Sequence, residues 1–290
     1  MTRYSLILVL AAVSVAACAS KGDNSDFDFG DHFDDPGTDI YADGYGRVPG
    51  TVRLATYNVH RCTPPNDNVN ADYDGLGKAF RMMSPDVVAI QELDSCTTRH
   101  AYFQLGELAT RAQMSYTYCT TVTYAKGKYG IGILYNSALK VVRQDHIALP
   151  GEEPRQALIT EFEDFVFIAT HFCHKSDENR TEDIRLVTEY AAAHYTGLPK
   201  PVFLAGDLNE YVLTTAMGQA LTASWTSLGV NTGTYFNTSN PRRIDYVLLW
   251  KGNGATVEVA GTAIPAYEGV NFNFLSDHYP VIVDLKPFGK

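Results

Sequence analysis

The chain of 290 residues carries a formal net charge of −10 at pH 7, and 45% of its residues are hydrophobic, which is enough for one large core. Eight of its 33 acidic residues and three of its 23 basic residues lie within the first 47 positions, so 25 acids and 20 bases remain beyond them. Proteins that bind nucleic acid without sequence preference usually carry a basic surface, and this composition makes that class less expected.

The first 17 residues are typical of a secretory signal. A basic start at Arg3 precedes an uncharged apolar run over 6–13, and small residues then lead to Cys18. The run is too short to cross a bilayer as a helix. Its end resembles the cleavage box of bacterial lipoproteins, in which the cysteine becomes lipidated and N-terminal. An ordinary signal peptide with an incidental Cys18 is the alternative. We therefore expect an exported protein, anchored to a bacterial membrane and facing the periplasm or the cell surface.

The segment 18–47 predicts a flexible acidic tether from the lipidated Cys18. It contains eight aspartates and no run of aliphatic residues. Such a segment cannot bury enough apolar surface to offset the entropy lost on ordering. The aspartates do not have the spacing of an EF-hand calcium loop. A single catalytic domain, expected to be monomeric, should therefore cover 48–290.

Four further cysteines, Cys62, Cys96, Cys119 and Cys173, would allow two disulfides in three connectivities in an exported protein. No CxxC or Cys/His spacing typical of a structural zinc site is present. Cys62 and Cys96 each follow the end of a predicted strand by a few residues, and we predict that these two form a disulfide.

Short apolar runs rich in β-branched residues recur along the domain and predict strands. They cover 52–57, 86–91, 131–135, 157–161, 165–170, 201–205, 244–250 and 280–285. Helical patterns cover 75–83, 101–112 and 178–195. The third helix should be capped by Ser176 or Asp177 and should bury Ile184, Val187 and Ala191. Strands mixed with a few helices indicate an α/β layered sandwich.

Polar residues stand beside six of these strands. They are Asn58, Glu92, His171, Asp207 with Asn209, Asp245, and Asp277 with His278. One acid or amide after a strand is a turn signal, but six such places drawn only from Asn, Glu, His and Asp indicate a functional site. Alternate residues of an extended chain share one side, so Asp207 and Asn209 should converge at the mouth of their strand.

The chemistry of this set is that of metal-assisted attack by water. Glu92, Asp277 and Asn58 offer the hard oxygen ligands that Mg²⁺ or Mn²⁺ prefers. The imidazoles of His171 and His278 can bind an anion or transfer protons near neutral pH, and Asp245 could orient one of them. No Ser or Cys nucleophile accompanies the set. In-line attack of water on a phosphoryl group fits these residues.

Six motifs, "TYNVH", "QELD", "THF", "GDLN", "RIDYVL" and "SDHYPV", resemble in this order the signature of the endonuclease/exonuclease/phosphatase family over about residues 50–286. The resemblance implies a four-layer α/β/β/α sandwich and Mg²⁺-dependent hydrolysis of a phosphate ester. It also implies specific roles. Glu92 would be the principal metal ligand, with Asn58 and Asp277 beside it, and His278 would pair with Asp245. His171, Asp207 and Asn209 would complete the catalytic set.

Two further residues are weaker candidates for binding phosphate. Tyr129 could reach a phosphate oxygen, although an aromatic residue at a strand start more often packs in the core. Arg155 could clamp a phosphate, and an ordinary surface arginine is the alternative. The sequence leaves it open whether Asp207 or His278 is the base. It also leaves open whether the substrate is a nucleic acid, a phospholipid headgroup or a soluble phosphate ester. A catalytically silent surface binding protein that keeps the scaffold is the alternative function.

Overall fold

The computed structural model describes residues 46–67 and 69–288. The strands within these residues carry most of the apolar runs, as predicted, and β3 to β7 follow one another without an intervening helix. In chain order they are β1 (Val52–Asn58), β2 (Val87–Ser95), β3 (Ser115–Tyr124), β4 (Gly127–Tyr135), β5 (Val141–Leu149), β6 (Arg155–Phe162), β7 (Val166–His171), β8 (Val202–Asp207), β9 (Trp225–Ser227), β10 (Asp245–Trp250), β11 (Val259–Ala263) and β12 (Val281–Leu285).

Helices α1 and α3 connect the strands of the two parallel pairs, and the other helices lie in longer connections between strands. They are α1 (Tyr73–Met83), α2 (Gln104–Ala112), α3 (Asp177–Tyr195), α4 (Ala216–Ser224) and α5 (Phe272–Leu275), with one 3₁₀ turn at His60–Cys62. Ser176 caps α3, as predicted, because its side chain accepts a hydrogen bond from the Asn179 amide at 3.1 Å. The predicted inward residues Ile184, Val187 and Ala191 are buried.

Two six-stranded mixed sheets face each other. The first has the order β11-β12-β1-β2-β4-β3, and the second has the order β5-β6-β7-β8-β10-β9. Each sheet contains one parallel pair, β1 with β2 and β7 with β8, among antiparallel neighbours. A parallel pair places the carboxyl ends of both strands side by side, so loops that follow these strands gather at one edge.

Three hydrophobic clusters of described residues separate four layers. Helices α1 and α2 pack on the outer face of the first sheet through residues such as Leu105. The inner faces of the sheets meet through Phe167 and Phe203. Helices α3 and α4 cover the second sheet through Val187 and Met217. The predicted α/β/β/α sandwich is therefore confirmed.

The elements that the sequence did not predict lie mainly at the sheet margins. β3, β5, β9 and β11 are outer strands, and along β5 half-buried and exposed residues alternate up to Leu149. A strand with one wet face lacks the continuous apolar run that marks a buried strand. The short helices α4 and α5 were also not predicted, and each presents only two or three apolar residues to the interior.

The predicted Cys62–Cys96 disulfide is wrong. Cys62 is a free thiol, fully buried in the cluster beneath α1, whereas Cys96 follows β2 at a half-buried position. The number of residues between a cysteine and a strand end does not determine where its side chain points. The side chain of Cys62 points into the apolar core. Burial raises the pKa of this thiol well above its usual value, which favours the inert protonated form.

The predicted signal peptide over 1–17, Cys18 and all of the predicted tether except residues 46–47 lie outside the described residues. Within the described part of the chain, no helix has both the length and the apolar character needed to cross a membrane.

Candidate active site

Strand register brings the predicted site residues to one edge shared by both sheets. Asn58 ends β1, and His171 and Asp207 end the parallel strands β7 and β8, where they lie directly side by side. Strand β10 runs antiparallel to β8, so its first residue, Asp245, pairs with Asp207. The Asn58 side-chain amide donates to Asp207 Oδ2 at 3.1 Å and so links the two sheets.

Two backbone features place Asp207 and Asn209. Gly206 has a φ of +154°, and a Cβ there would lie 2.0 Å from the Thr170 carbonyl oxygen, so only glycine fits. The sequence predicted an extended chain through Asn209. The structure differs, because the backbone of Asn209 is left-handed with a φ of 52°. The turn instead brings the Asn209 backbone N–H to Asp207 Oδ1 at 2.9 Å, while its side-chain amide donates to the Phe172 carbonyl at 3.0 Å.

Glu92 lies in a β-bulge within β2. The register against β4 shifts between Ile90 and Leu93, and Glu92 has a φ of 62°. A bulge re-aims a side chain, and a positive φ outside glycine costs about 1–3 kcal/mol, which the surrounding structure must offset. One carboxylate oxygen accepts from Asn58 at 3.0 Å, and the other lies 3.6 Å from the Arg61 guanidinium. The strain is located where the predicted metal ligand projects.

Asp207 is the centre of the arrangement. Its Oδ2 lies 3.1 Å from the Asn58 amide, 3.5 Å from His171 Nε2 and 3.7 Å from His278 Nε2. All four side chains are buried. The single carboxylate therefore faces two imidazoles and one amide in a site from which most water is excluded.

His278 is held by neighbours on both sides of its ring. Its Nδ1 lies 2.8 Å from Asp245 Oδ2, and its backbone N–H donates to Ser276 Oγ at 3.2 Å. Ser276 in turn donates to the Asn58 carbonyl at 2.6 Å, and the Tyr235 ring packs 4.9 Å from the imidazole. The carboxylate fixes the orientation of the imidazole. Ser276 and Tyr235 were not predicted, since the strand-end pattern was drawn only from Asn, Glu, His and Asp.

The charges around Asp207 and His278 separate their protonation behaviour. Burial first, and then the negative charge of Asp245, raise the pKa of Asp207 to about 7. The pKa of His278 is raised to about 10. Burial acts to lower it, but the charges of Asp245, Asp207 and Asp277 outweigh burial. At neutral pH His278 is therefore a cation, and Asp207 is partly ionised.

His171 is a neutral donor. Its Nδ1 accepts a hydrogen bond from the Arg155 guanidinium at 3.1 Å, which leaves the ring proton on Nε2, facing Asp207. Burial and the cationic Arg155 lower the pKa of His171 well below its usual value. Arg155 itself is buried and also pairs with Glu153 at 3.1 Å. The alternative of a surface arginine is wrong, because its head group is engaged behind the imidazole.

Tyr129 lies at the edge of the same site, half-buried on β4. Burial, followed by the charge of Glu92, raises the pKa of its hydroxyl well above the usual value, so this hydroxyl stays protonated. It remains able to donate a hydrogen bond. Arg61, which the sequence left without a role, contacts Glu92 because three consecutive positive φ values turn residues 60–62 back toward β2.

A sequence model described as the endonuclease/exonuclease/phosphatase family matches residues 55–278, a span that contains all of these side chains. The chain belongs to this family. Comparison with curated proteins returned no match.

Several solved structures share this fold. An endonuclease/exonuclease/phosphatase from Bacteroides vulgatus is 20% identical, with a TM-score of 0.65 over 81% of this chain and 98% of that one. A mannosyl-6-phosphatase from Bacteroides thetaiotaomicron is 19% identical, with a TM-score of 0.63 over 81% and 99%. D. rerio TDP2, complexed with a single-strand DNA product, is 21% identical, with a TM-score of 0.63 over 81% and 98%.

The endonuclease/exonuclease/phosphatase family implies a divalent cation, and the donor set here fits one. Oδ1 of Asp277 and Oδ1 of Asp245 are buried without a hydrogen-bond partner. Donor atoms of Asp207, Asp245 and His278 also lie within 4.8 Å of one another. Most of the possible donors at this edge, including Glu92, are carboxylates. Carboxylate oxygens are the ligands that Mg²⁺ and Mn²⁺ favour. The His278–Asp245 hydrogen bond of 2.8 Å lies within the group formed by Asp207, Asp245 and His278.

Proposed function

We propose that this protein is a Mg²⁺- or Mn²⁺-dependent phosphoesterase that hydrolyses its substrate by in-line attack of water. The observation that supports this most strongly is the buried Asp207 carboxylate, whose Oδ2 lies 3.5 Å from His171 Nε2 and 3.7 Å from His278 Nε2. Burial, followed by the charge of Asp245, raises the pKa of Asp207 to about 7. A group that titrates near neutral pH is suited to general base catalysis. Two imidazole N–H donors beside it are suited to an anionic phosphoryl group.

Each residue has a separate task in the proposed reaction. Asp207 accepts a proton from the attacking water. Asn209 holds Asp207 in position through its backbone N–H. His278, protonated and oriented by Asp245, donates to the phosphoryl oxygen on which negative charge develops. His171 donates to the same group from its neutral Nε2–H. This assignment favours Asp207 as the base, because a group with a pKa of about 10 already holds its proton at neutral pH.

The carboxylates of Glu92 and Asp277 would hold the cation, with Asn58 beside them. A bound divalent cation supplies Lewis-acid stabilisation of the developing charge. Asn58 already ties Glu92 to Asp207 through its amide, so it aligns the metal side of the site with the base. Tyr129 adds a neutral hydroxyl at the rim.

The substrate class is a phosphate ester, and the structural relatives include proteins named for very different ones. One is a mannosyl-6-phosphatase, and another was solved with a DNA product. The excess of acids in the domain favours a small ester or a phospholipid headgroup over long nucleic acid. We further propose that the protein is a monomer carried on a lipid anchor at Cys18, since the first residues have the pattern of a lipoprotein signal.

A substrate panel tests the function. Plasmid DNA, sphingomyelin, inositol phosphates and bis-p-nitrophenyl phosphate are each incubated with the purified protein in Mg²⁺ or Mn²⁺, and in EDTA. We expect metal-dependent release of product from at least one ester. Failure to hydrolyse any of them in either metal would support a catalytically silent binding protein instead.

A further inference from the structure

An open cavity of about 360 Å³ lies beside the proposed active site, between the loop that follows β8 and the loop that precedes β10. Its lining includes Tyr211, Asn231, Asn240, Arg242 and Arg243. The lining contains two arginines, one aromatic ring and amide side chains, and no carboxylate. In a chain with a net charge of −10, such a concave cationic surface is a local exception.

Tyr211 and the two arginines of this cavity are connected to the catalytic edge. Tyr211 follows Asn209 by two residues, and Arg243 precedes Asp245 by two. Arg242 pairs with Tyr235 through backbone hydrogen bonds of 2.9 Å, and Tyr235 forms a bridge with His278. Two such steps between neighbouring chain segments place the backbone of Arg242 about 10 Å from that of His278. A substrate bound at the catalytic edge can therefore extend into the cavity.

The arginines are not neutralised by the protein. Among the described residues, neither Arg242 nor Arg243 forms an ion pair with a carboxylate. The exposed Arg242 guanidinium stacks on the Tyr211 ring at 4.7 Å, which holds it in place and leaves its N–H groups available. Arg243 donates to Asn231 at 2.6 Å and to Ser227, so its head group is fixed.

The loop that carries Tyr211 is itself anchored. Glu210 is buried, and its carboxylate accepts from the Val212 N–H at 2.7 Å and from Thr215 Oγ1 at 2.9 Å. The Tyr246 hydroxyl donates to the Glu210 carbonyl at 2.8 Å. The stacking surface under Arg242 is thus preorganised, which lowers the entropic cost of binding a ligand there.

We propose that this cavity is a subsite for a second phosphate group of the substrate, bound by Arg242 and Arg243 while the scissile phosphate lies against Asp207. A guanidinium donates paired hydrogen bonds that match the oxygens of a phosphate. The inference deepens the proposed phosphoesterase function and rests on it. It narrows the substrate class to esters with a further phosphate, whether on a sugar or polyol or on a nucleotide strand.

Competition against bis-p-nitrophenyl phosphate tests the subsite. The competitors are two matched pairs: glucose 6-phosphate with glucose 1,6-bisphosphate, and the dinucleotide TpT with pTpT. We expect the second phosphate to lower the apparent Ki by about 10- to 100-fold in at least one pair, the range for charge-assisted hydrogen bonds. The pair that responds distinguishes a sugar phosphate from a nucleotide.

Arg242→Gln should abolish this gain, so that the two Ki values within the responding pair become equal. Arg185→Gln is the matched control, because Arg185 is an exposed arginine of α3 that pairs with Glu182 and Glu189. Equal Ki values within both pairs in the wild type, or a gain that persists in Arg242→Gln, would overturn the subsite. Isothermal titration calorimetry of the same ligands repeats the comparison without turnover. A protein that prefers the second phosphate but hydrolyses no ester would refute the proposed function alone.

Discussion

Asp207 owes its character to burial and to two neighbours with opposite effects. Burial has the largest effect and raises its pKa, the carboxylate of Asp245 raises it further, the cationic ring of His278 lowers it, and the resulting pKa is about 7. The group is thus protonated below this pH and ionised above it. Since the acid form cannot accept a proton, the proposed base is inactive on the acid side.

The pH dependence of hydrolysis follows from the ionisation of Asp207, which is inactive as a base when protonated. With the metal concentration held constant, kcat/KM should rise by about tenfold per pH unit up to about pH 7 and then level off. The decline that reports His278 should come only toward pH 10. Rates on bis-p-nitrophenyl phosphate from pH 5 to pH 10 measure both limbs. A profile that is flat between pH 5 and pH 8 would contradict the assignment of Asp207 as the base.

His278 and Asp245 should act as one unit. His278→Ala removes the donor, and Asp245→Asn removes the carboxylate that orients and charges it, so each should lower kcat by about 10²–10⁴-fold. The double variant should be little slower than His278→Ala alone, because the second loss acts through the first. Measured kcat values for the three variants, with folding checked by circular dichroism, complete the cycle. Losses that multiply in full would argue against the pair.

At the scale of residues, the sequence predicts which side chains belong to the site better than it predicts which side chains contact each other. Strand-end position and residue chemistry were sufficient to assign Asn58, Asp207 and His278 to one site. The role of Arg155 was not predictable, since the contact that fixes the tautomer of His171 joins residues on β6 and β7 that only the sheet register brings together. Pairing across strands depends on register, which a single apolar pattern does not specify.

At the scale of elements, the parallel pair β7 and β8 determines where the base lies. Gly206 is the tight point of that pair, because Thr170 of β7 leaves no space for a side chain. Gly206→Ala should lower the free energy of unfolding by about 3 kcal/mol or more, from strain and overpacking together. Unfolding in urea, followed by the fluorescence of the buried Trp225 and Trp250, measures this loss.

Gly197→Ala is the matched control. Gly197 also has a positive φ, of 80°, but a Cβ there would meet nothing within 4 Å. That variant should lose only the cost of the left-handed backbone, about 1–2 kcal/mol. Equal losses in the two variants would show that close packing between β7 and β8 is not what requires glycine at position 206.

Comparison of the strands shows which sequence patterns predict a strand reliably. β7 and β8 are buried on both faces and were predicted within one or two residues, because their apolar runs are continuous. β5 was missed because the residues on its wet face interrupt the run. The bulge at Glu92 was also missed, since the strand was expected to end before it and not to bend around it.

At the scale of the whole molecule, the proposed anchor would keep the catalytic domain next to a membrane. Two acyl chains hold a protein stably on a bilayer where one gives only marginal binding. Cys18→Ala should therefore move the protein from the membrane fraction to the soluble fraction of lysed cells, with specific activity unchanged. Western blots of both fractions measure the shift. A Cys18→Ala protein that stays with membranes as the wild type does would contradict the anchor.

The central claim is that Glu92 and its neighbours hold a catalytic divalent cation at the shared edge of the two sheets. The most direct measurement is the rate of phosphate-ester hydrolysis as a function of Mg²⁺ concentration, in the wild type and in Glu92→Gln. Glutamine keeps the shape of the side chain and removes the charge that balances the cation. We predict no wild-type activity in EDTA, a saturable response to Mg²⁺, and a Glu92→Gln curve shifted at least about tenfold to higher Mg²⁺. Full activity in EDTA, or superimposable curves for the two proteins, would contradict the account.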